Sequence, residues 1–383
     1  MKSVISSEYR SIYIWKLLLF GCLILGFTAC EKSPPRPIAS DEIISYDTIK
    51  AWDITTYAAY PEPKPQFYDS SGKSIDLLSF AKSVGVNTLR LRVLTGKPVF
   101  PHATISQLLV LAKKAYANKL AIWIDFHYSD VWADPGNQAV PKQWEGLSVA
   151  VLSDSVKAYS QQVIQQFVAQ GTPPAVVQIG NEISPGMLWP VGKFTSSPSE
   201  AANVALLFQS GANGVKAASP KTKIMLHLAG NSTTLWWLGN QYLTAGMQFD
   251  LWGFSYYGNW HGCDATVIMQ TCQNLGMRNS KPFIIAETAH PFTLGWQDQT
   301  GNVFGNTNQL CPTFTATPSK QSTWLEYAWR SGKLHSQFRG MGYWEPAWVT
   351  ETAWGGLQGS SWENMALFDF KHKALPGAYF PWR

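Results

Sequence analysis

Two short segments of this chain run through apolar, β-favouring residues and then stop at a carboxylate. They are VVQIGNEIS around Glu182 and FIIAETAHP around Glu287. An unpaired charge inside a buried strand is costly, or is neutralised by a shifted pKa. Both glutamates are therefore expected at the C-terminal mouths of their strands, where a cleft can use them. Two carboxylates far apart in sequence but similarly placed suit cleavage of a glycosidic bond. One would be kept protonated to donate to the leaving oxygen, the other kept ionised to attack the anomeric carbon.

The elements that must position them alternate along the chain. Strand-like runs occur at 52–57, 88–93, 120–126, 175–180, 223–228, 251–256, 283–286 and 341–344. Between them lie segments such as ISQLLVLAKKAYANK and DSVKAYSQQVIQQFVAQG, whose apolar residues recur every three or four positions, as one helix face requires. Gly85, Gly171 and Pro220 supply helix stops. Eight strands with intervening helices predict a (β/α)8 TIM barrel with long loops after strands seven and eight. A doubly wound open sheet is disfavoured, because no glycine-rich phosphate loop follows the first strand.

In that register other polar residues reach the same mouth. They are Arg92 after strand two, Asp125, His127, Trp132 and Asp134 after strand three, and Asn181 beside Glu182. Tyr256 and Tyr257 end strand six, and Trp344 and Glu345 end strand eight. Asn181 is placed to bind a sugar 2-hydroxyl, and Arg92 with Tyr256 or Tyr257 to hold Glu287 ionised. Each has a plainer reading. Asn181-Glu182 suits a helix N-cap, Arg92 a structural ion pair, His127 a core histidine and Glu345 a surface charge. Concurrence at successive strand ends favours the site for Glu182 and Glu287.

Composition narrows the partner. The 383 residues are 14% aromatic with 18 Trp, which suits a sugar groove as well as a core. The net charge of +5 carries no dense basic patch, so nucleic acid is not an expected partner. Basic residues precede an apolar stretch at 17–27 and then Thr28-Ala29-Cys30. That stretch has signal-peptide proportions and ends like a bacterial lipobox, with Phe27 where Leu is usual. The expected organisation is a lipoprotein-type signal at 1–29, a tether at 30–48 anchored through lipidated Cys30, and a catalytic domain at 49–383. The protein would then be exported and held at the cell envelope, with the outer membrane favoured, or secreted. Cys263, Cys272 and Cys311 remain in the exported part, and their pairing is left open by the sequence.

The chain also resembles glycoside hydrolase family 53, the arabinogalactan endo-β-1,4-galactanases, along nearly its whole length from about residue 50. The resemblance is carried by GVNTLRLRV, DFHYSDVWADPGNQAVPKQW, QIGNEISPGMLWP, FSYYGNWHG, ETAHPFTL, YWEPAW and SSWENMALFDF. It implies retaining hydrolysis of β-1,4-galactosidic bonds in pectic galactan, with Glu182 as acid/base and Glu287 as nucleophile. It further implies that Arg92, His127, Asn181, Tyr256 and Trp344 line the cleavage subsite, and that Trp132, Asp134 and Trp189 line neighbouring ones. The sequence departs from the family pattern at Leu94, where Trp is usual, and at His290, where an aromatic such as Tyr is expected. The loop GWQDQTGNVFGNTN offers only Asp298 and Asn302 where bacterial members often bind calcium, so no cofactor is expected. The alternatives are the same mechanism on another β-1,4-glycan such as mannan, or a non-catalytic surface protein that binds glycan. A monomer is expected.

Overall fold

The computed structural model describes residues 43–352 and 359–379. The stretch expected to be a signal, and Cys30, lie outside the described residues. Eight parallel strands close into a barrel in chain order. They are β1 Ile49–Asp53, β2 Thr88–Val93, β3 Ala121–Phe126, β4 Val176–Ile179, β5 Lys223–Leu228, β6 Leu251–Ser255, β7 Phe283–Thr288 and β8 Phe338–Trp344. β8 pairs back onto β1, with Trp52 opposite Tyr343, so no strand edge is left open. The expected (β/α)8 barrel is the observed one. Helices cover its outer face, which explains why β2, β3 and β7 are buried at every residue.

Local chemistry sets the element ends. Thr104 and Gln107 form a capping box on the helix Ile105–Ala117, and Ser197 and Glu200 form another on Pro198–Ala218. Gly171, at φ +80°, ends the helix Val149–Ala169 in a left-handed turn, its amide 2.9 Å from the Val168 carbonyl.

The largest departures from the expected strand bounds are at β1 and β8. β1 stops at Asp53 instead of running to Tyr57, because the Asp53 carboxylate accepts from the Thr55 amide and hydroxyl and starts the helix Thr55–Ala59. β8 begins at Phe338, three residues early. Gly340, at φ +135°, lets it lie against β1; a Cβ there would stand 1.9 Å from the Ile49 carbonyl oxygen.

The barrel's lower interior is filled by Ala51, Trp123, Val176, Met225, Ile284 and Ala286. Ile43, Ile44 and Tyr46 pack onto this cluster. The folded chain is therefore under way by residue 43, inside the stretch expected to be a tether. Cys263 and Cys311 form a disulfide between the segments after β6 and β7, and Cys272 is a buried free thiol. Among the described residues no helix is long and apolar enough to cross a membrane.

Candidate active site

Above Trp123 the barrel interior turns polar, and the arrangement centres on Arg90. Successive side chains of a strand alternate faces, so Arg90 and Arg92 on β2 both point inward, as do Trp123 and Asp125 on β3. The Arg90 guanidinium rests over the Trp123 ring at 5.4 Å and faces three carboxylates. It reaches Asp53 at 2.7 Å, Asp125 at 2.9 Å and Glu287 at 2.7 Å. It also donates to the Gln178 and Asn181 side-chain oxygens, at 3.2 and 3.0 Å. Burial opposes the charge on Asp125, yet Arg90 and His127 outweigh it and hold this acid down at about 2.

Glu287 reaches this layer through an irregular strand. Ile284 and Ala286 already face the inner cluster, so strict alternation would send Glu287 outward. The β6–β7 pairing slips by one residue, from Phe254 opposite Ile285 to Ser255 opposite Glu287, and the β7–β8 pairing slips beside it. The bulge turns the Glu287 carboxylate into the barrel. There the Tyr257 hydroxyl donates to it at 3.2 Å. Burial raises its pKa, and the Arg90 charge and the Tyr257 hydrogen bond work against that rise.

Glu182 stands across the mouth in a different setting. The chain leaves β4 through Gly180 at φ +79° and Glu182 itself at φ +48°, a left-handed conformation costing about 1–2 kcal/mol for a residue with a Cβ. His227 holds this turn, its ring Nδ1 accepting from the Glu182 amide at 3.3 Å and its carbonyl from Ile183 at 3.0 Å. With Nδ1 an acceptor, the His227 proton sits on Nε2 and faces the Ser255 hydroxyl at 2.9 Å, leaving Ser255 free to donate to Glu182. Burial and the neighbouring Glu287 charge push Glu182 up to about 8; the Ser255 hydrogen bond and the Arg90 charge oppose that rise without cancelling it, and among the described residues no cation forms an ion pair with Glu182. Both carboxyls are raised by burial, but only Glu287 has an ion pair to favour its charged form, so Glu182 is the better placed of the two to hold a proton.

His127 and Asn181 are placed as expected. The His127 ring accepts from the Ala133 amide at 2.9 Å and donates to Asp125 at 3.0 Å, so it is a neutral, oriented imidazole. Asn181 is no helix cap. Its side-chain amide donates to the Ala133 carbonyl at 2.8 Å. Together with Trp132, Asp134, Tyr257 and Trp344 they line a cavity of about 260 Å³ around the two glutamates.

Four residues expected at the site stand elsewhere. Arg92 does not reach Glu287; its guanidinium lies 3.9 Å from the Trp132 ring centre and pairs with Glu345 at 3.3 Å. It sits one step higher on β2 than Arg90, so it meets the β8 end and the plainer ion-pair reading applies. Glu345 is no surface charge: it is fully buried and accepts from the Thr56 amide and hydroxyl at 3.0 and 2.8 Å. Tyr256 points away from the cavity and stacks on Trp324 at 5.1 Å, with only its amide bonded to the Glu287 carbonyl. Trp189 braces its own loop, its indole donating to the Pro185 carbonyl at 3.0 Å under the Lys193 ammonium, and it lines neither cavity beside Glu182. His290 stacks on Trp324 at 5.5 Å, filling the place expected for a larger aromatic.

Sequence reading missed Arg90, Gln178, His227, Trp348 and Trp362. The inward alternation of LRLRV marks Arg90 as well as Arg92. The two tryptophans lie in the long stretch after β8. Trp362 packs edge-on against Trp344 at 4.5 Å, and Trp348 lies near-parallel to Trp132 at 6.2 Å, making one wall of the cavity aromatic.

The family model of glycosyl hydrolase family 53 matches residues 49–380, nearly all of the described chain. The chain belongs to that family. Among its relatives, an arabinogalactan endo-beta-1,4-galactanase of Cellvibrio japonicus is 31% identical over 82% of this chain and 85% of its own length. An endo-beta-1,4-galactanase of Bacillus subtilis is 26% identical, across 98% of this chain and 96% of its own. The solved family 53 catalytic domain of Ignisphaera aggregans superposes with a TM-score of 0.79 at 30% identity, covering 88% of this chain and 97% of that one.

Proposed function

We propose that this family 53 protein is a retaining endo-β-1,4-galactanase acting on pectic galactan and type I arabinogalactan, with Glu182 as acid/base and Glu287 as nucleophile. The observation that carries the division of roles is the unlike environment of two glutamates on one cavity: Glu287 paired with Arg90 and bonded by Tyr257, Glu182 buried and, among the described residues, in no ion pair. The names of the relatives supply the substrate class.

In the first step a Glu287 oxygen attacks the anomeric carbon while the Glu182 proton passes to the glycosidic oxygen. The C1–O bond breaks, the reducing-end chain leaves as an alcohol, and a galactosyl ester of Glu287 remains. In the second step Glu182, now a carboxylate, takes a proton from water as that water attacks C1 and releases Glu287. Asn181, through its side-chain amide, binds the 2-hydroxyl as charge develops on the ring. Trp344 and Trp362 give the ring an aromatic wall.

We further propose that no cofactor is required. The Asp298 carboxylate accepts from the Thr300 and Ser360 amides and the Thr350 hydroxyl, so its oxygens are already engaged by protein donors. Export, anchoring to the envelope through lipidated Cys30 and a monomeric state are proposed on the sequence features alone.

The substrate assignment is tested by incubating purified protein with linear β-1,4-galactan, β-1,4-mannan, xylan and β-glucan and measuring new reducing ends. Galactan is expected to be cut and the others left intact. Cleavage of mannan but not galactan refutes the substrate, and binding of galactan without cleavage identifies a glycan-binding protein instead.

A further inference from the structure

A second and larger cavity, of about 640 Å³, adjoins the first. The two share Glu182, Asp134 and Trp260, whereas Glu287 lines only the smaller one. This fixes the direction of the substrate if the galactanase reading holds. The sugar that becomes bonded to Glu287 lies on the Glu287 side. The chain that leaves with the Glu182 proton lies in the larger cavity.

That cavity has an aromatic floor of its own. Trp237, on the helix Ser232–Thr244, stacks on Phe194 with ring centres 5.4 Å apart and planes inclined by 27°. Trp237 is 41% exposed, so part of its indole is open to the cavity, while Phe194 is buried behind it. The floor is tied to the acid. The Tyr242 hydroxyl, on the same helix, lies 2.8 and 2.9 Å from the carbonyls of Ile183 and Ser184, the residues directly after Glu182. Ser184 in turn bonds the Ala229 amide and carbonyl at 2.8 and 2.6 Å, bracing the β5 end that forms the next part of the lining. Buried His261 takes the Tyr257 amide on Nδ1, which leaves Nε2 as the donor it brings to the lining.

We propose that Trp237, backed by Phe194, is the stacking platform for a galactosyl unit of the leaving chain, and equally for an incoming acceptor sugar. The axial 4-hydroxyl of galactose leaves H3, H4 and H5 on one ring face, an apolar patch that suits a flat indole. Trp236, next in sequence and equally exposed at 41%, is a control: it lies by Arg278 and lines neither cavity.

The test compares the wild-type protein with Trp237→Ala and Trp236→Ala on two substrates. Linear β-1,4-galactan needs the leaving side. β-1,4-Galactobiosyl fluoride does not, because its leaving group is one atom. In Trp237→Ala, kcat/KM on galactan is expected to fall about tenfold or more, the scale of one aromatic stacking contact, with fluoride hydrolysis within about twofold of wild type. With galactobiose added as acceptor, the ratio of transfer to hydrolysis from the fluoride should fall at least about fivefold. That ratio does not depend on how much of the variant is folded. Trp236→Ala should match wild type throughout. An unchanged transfer ratio with galactan cleavage intact overturns the platform while sparing the galactanase reading. A wild-type protein inert on galactan overturns both.

Discussion

Replacing Glu287 by alanine is expected to lower turnover by about four orders of magnitude or more, on galactan and on aryl galactosides alike. No substrate with an activated leaving group should escape the loss, because the missing group is the one that forms the bond to C1. The loss is not expected to come from unfolding. Arg90 keeps Asp53 at 2.7 Å and Asp125 at 2.9 Å when the third carboxylate is removed, so its buried charge stays paired. Equal melting temperatures beside unmeasurable turnover would establish this. A variant that retains more than about a hundredth of wild-type turnover on galactan would show that Glu287 is not the nucleophile.

Replacing Glu182 by alanine should produce a different deficit. Galactan has a poor leaving group and needs the proton, so turnover on it should drop by about a thousandfold, within reach of what general acid catalysis contributes. An aryl galactoside with an acidic phenol does not need that proton in the first step, and its turnover should be restored in part by azide. The azide product should carry the β configuration, since it replaces the water that Glu182 would have activated. The pH profile gives an independent reading. Glu182 must be protonated to act, and burial with the Glu287 charge pushes it up to about 8. Wild-type kcat/KM on galactan should therefore hold through neutral pH and fall as pH rises past about 8. That alkaline limb should be absent from Glu182→Ala acting on the aryl substrate. Unrescued, equal losses in the two glutamate variants would contradict the division of roles.

The barrel and its two glutamates were legible because each strand is a run of β-favouring residues and each carboxylate interrupts one. Periodicity alone did not place Glu287. Alternation from Ile284 and Ala286 points it outward, and only the slipped pairing with Ser255 turns it in. The same alternation offered Arg90 and Arg92 together, and which of them meets Glu287 depends on height along the barrel axis. That height follows from strand stagger, which one sequence does not show. The mouth-facing Tyr is Tyr257, not Tyr256, because β6 ends at Ser255 and the chain turns there into the short helix Gly258–His261. His227 lay unremarked inside β5, since a histidine in an apolar run reads as core. Its role appears only once Gln178, Ser255 and the Glu182 amide are seen around it.

The whole account rests on a covalent galactosyl intermediate at one named carboxylate, and trapping it is the most direct test. The protein should be inactivated by a 2-deoxy-2-fluoro-galactobioside bearing a good leaving group, then digested and analysed by mass spectrometry. The added mass is expected on the peptide carrying Phe283–Thr288, at Glu287. Label on Glu182, or complete turnover of galactan to α-configured first products with no adduct formed, would contradict it.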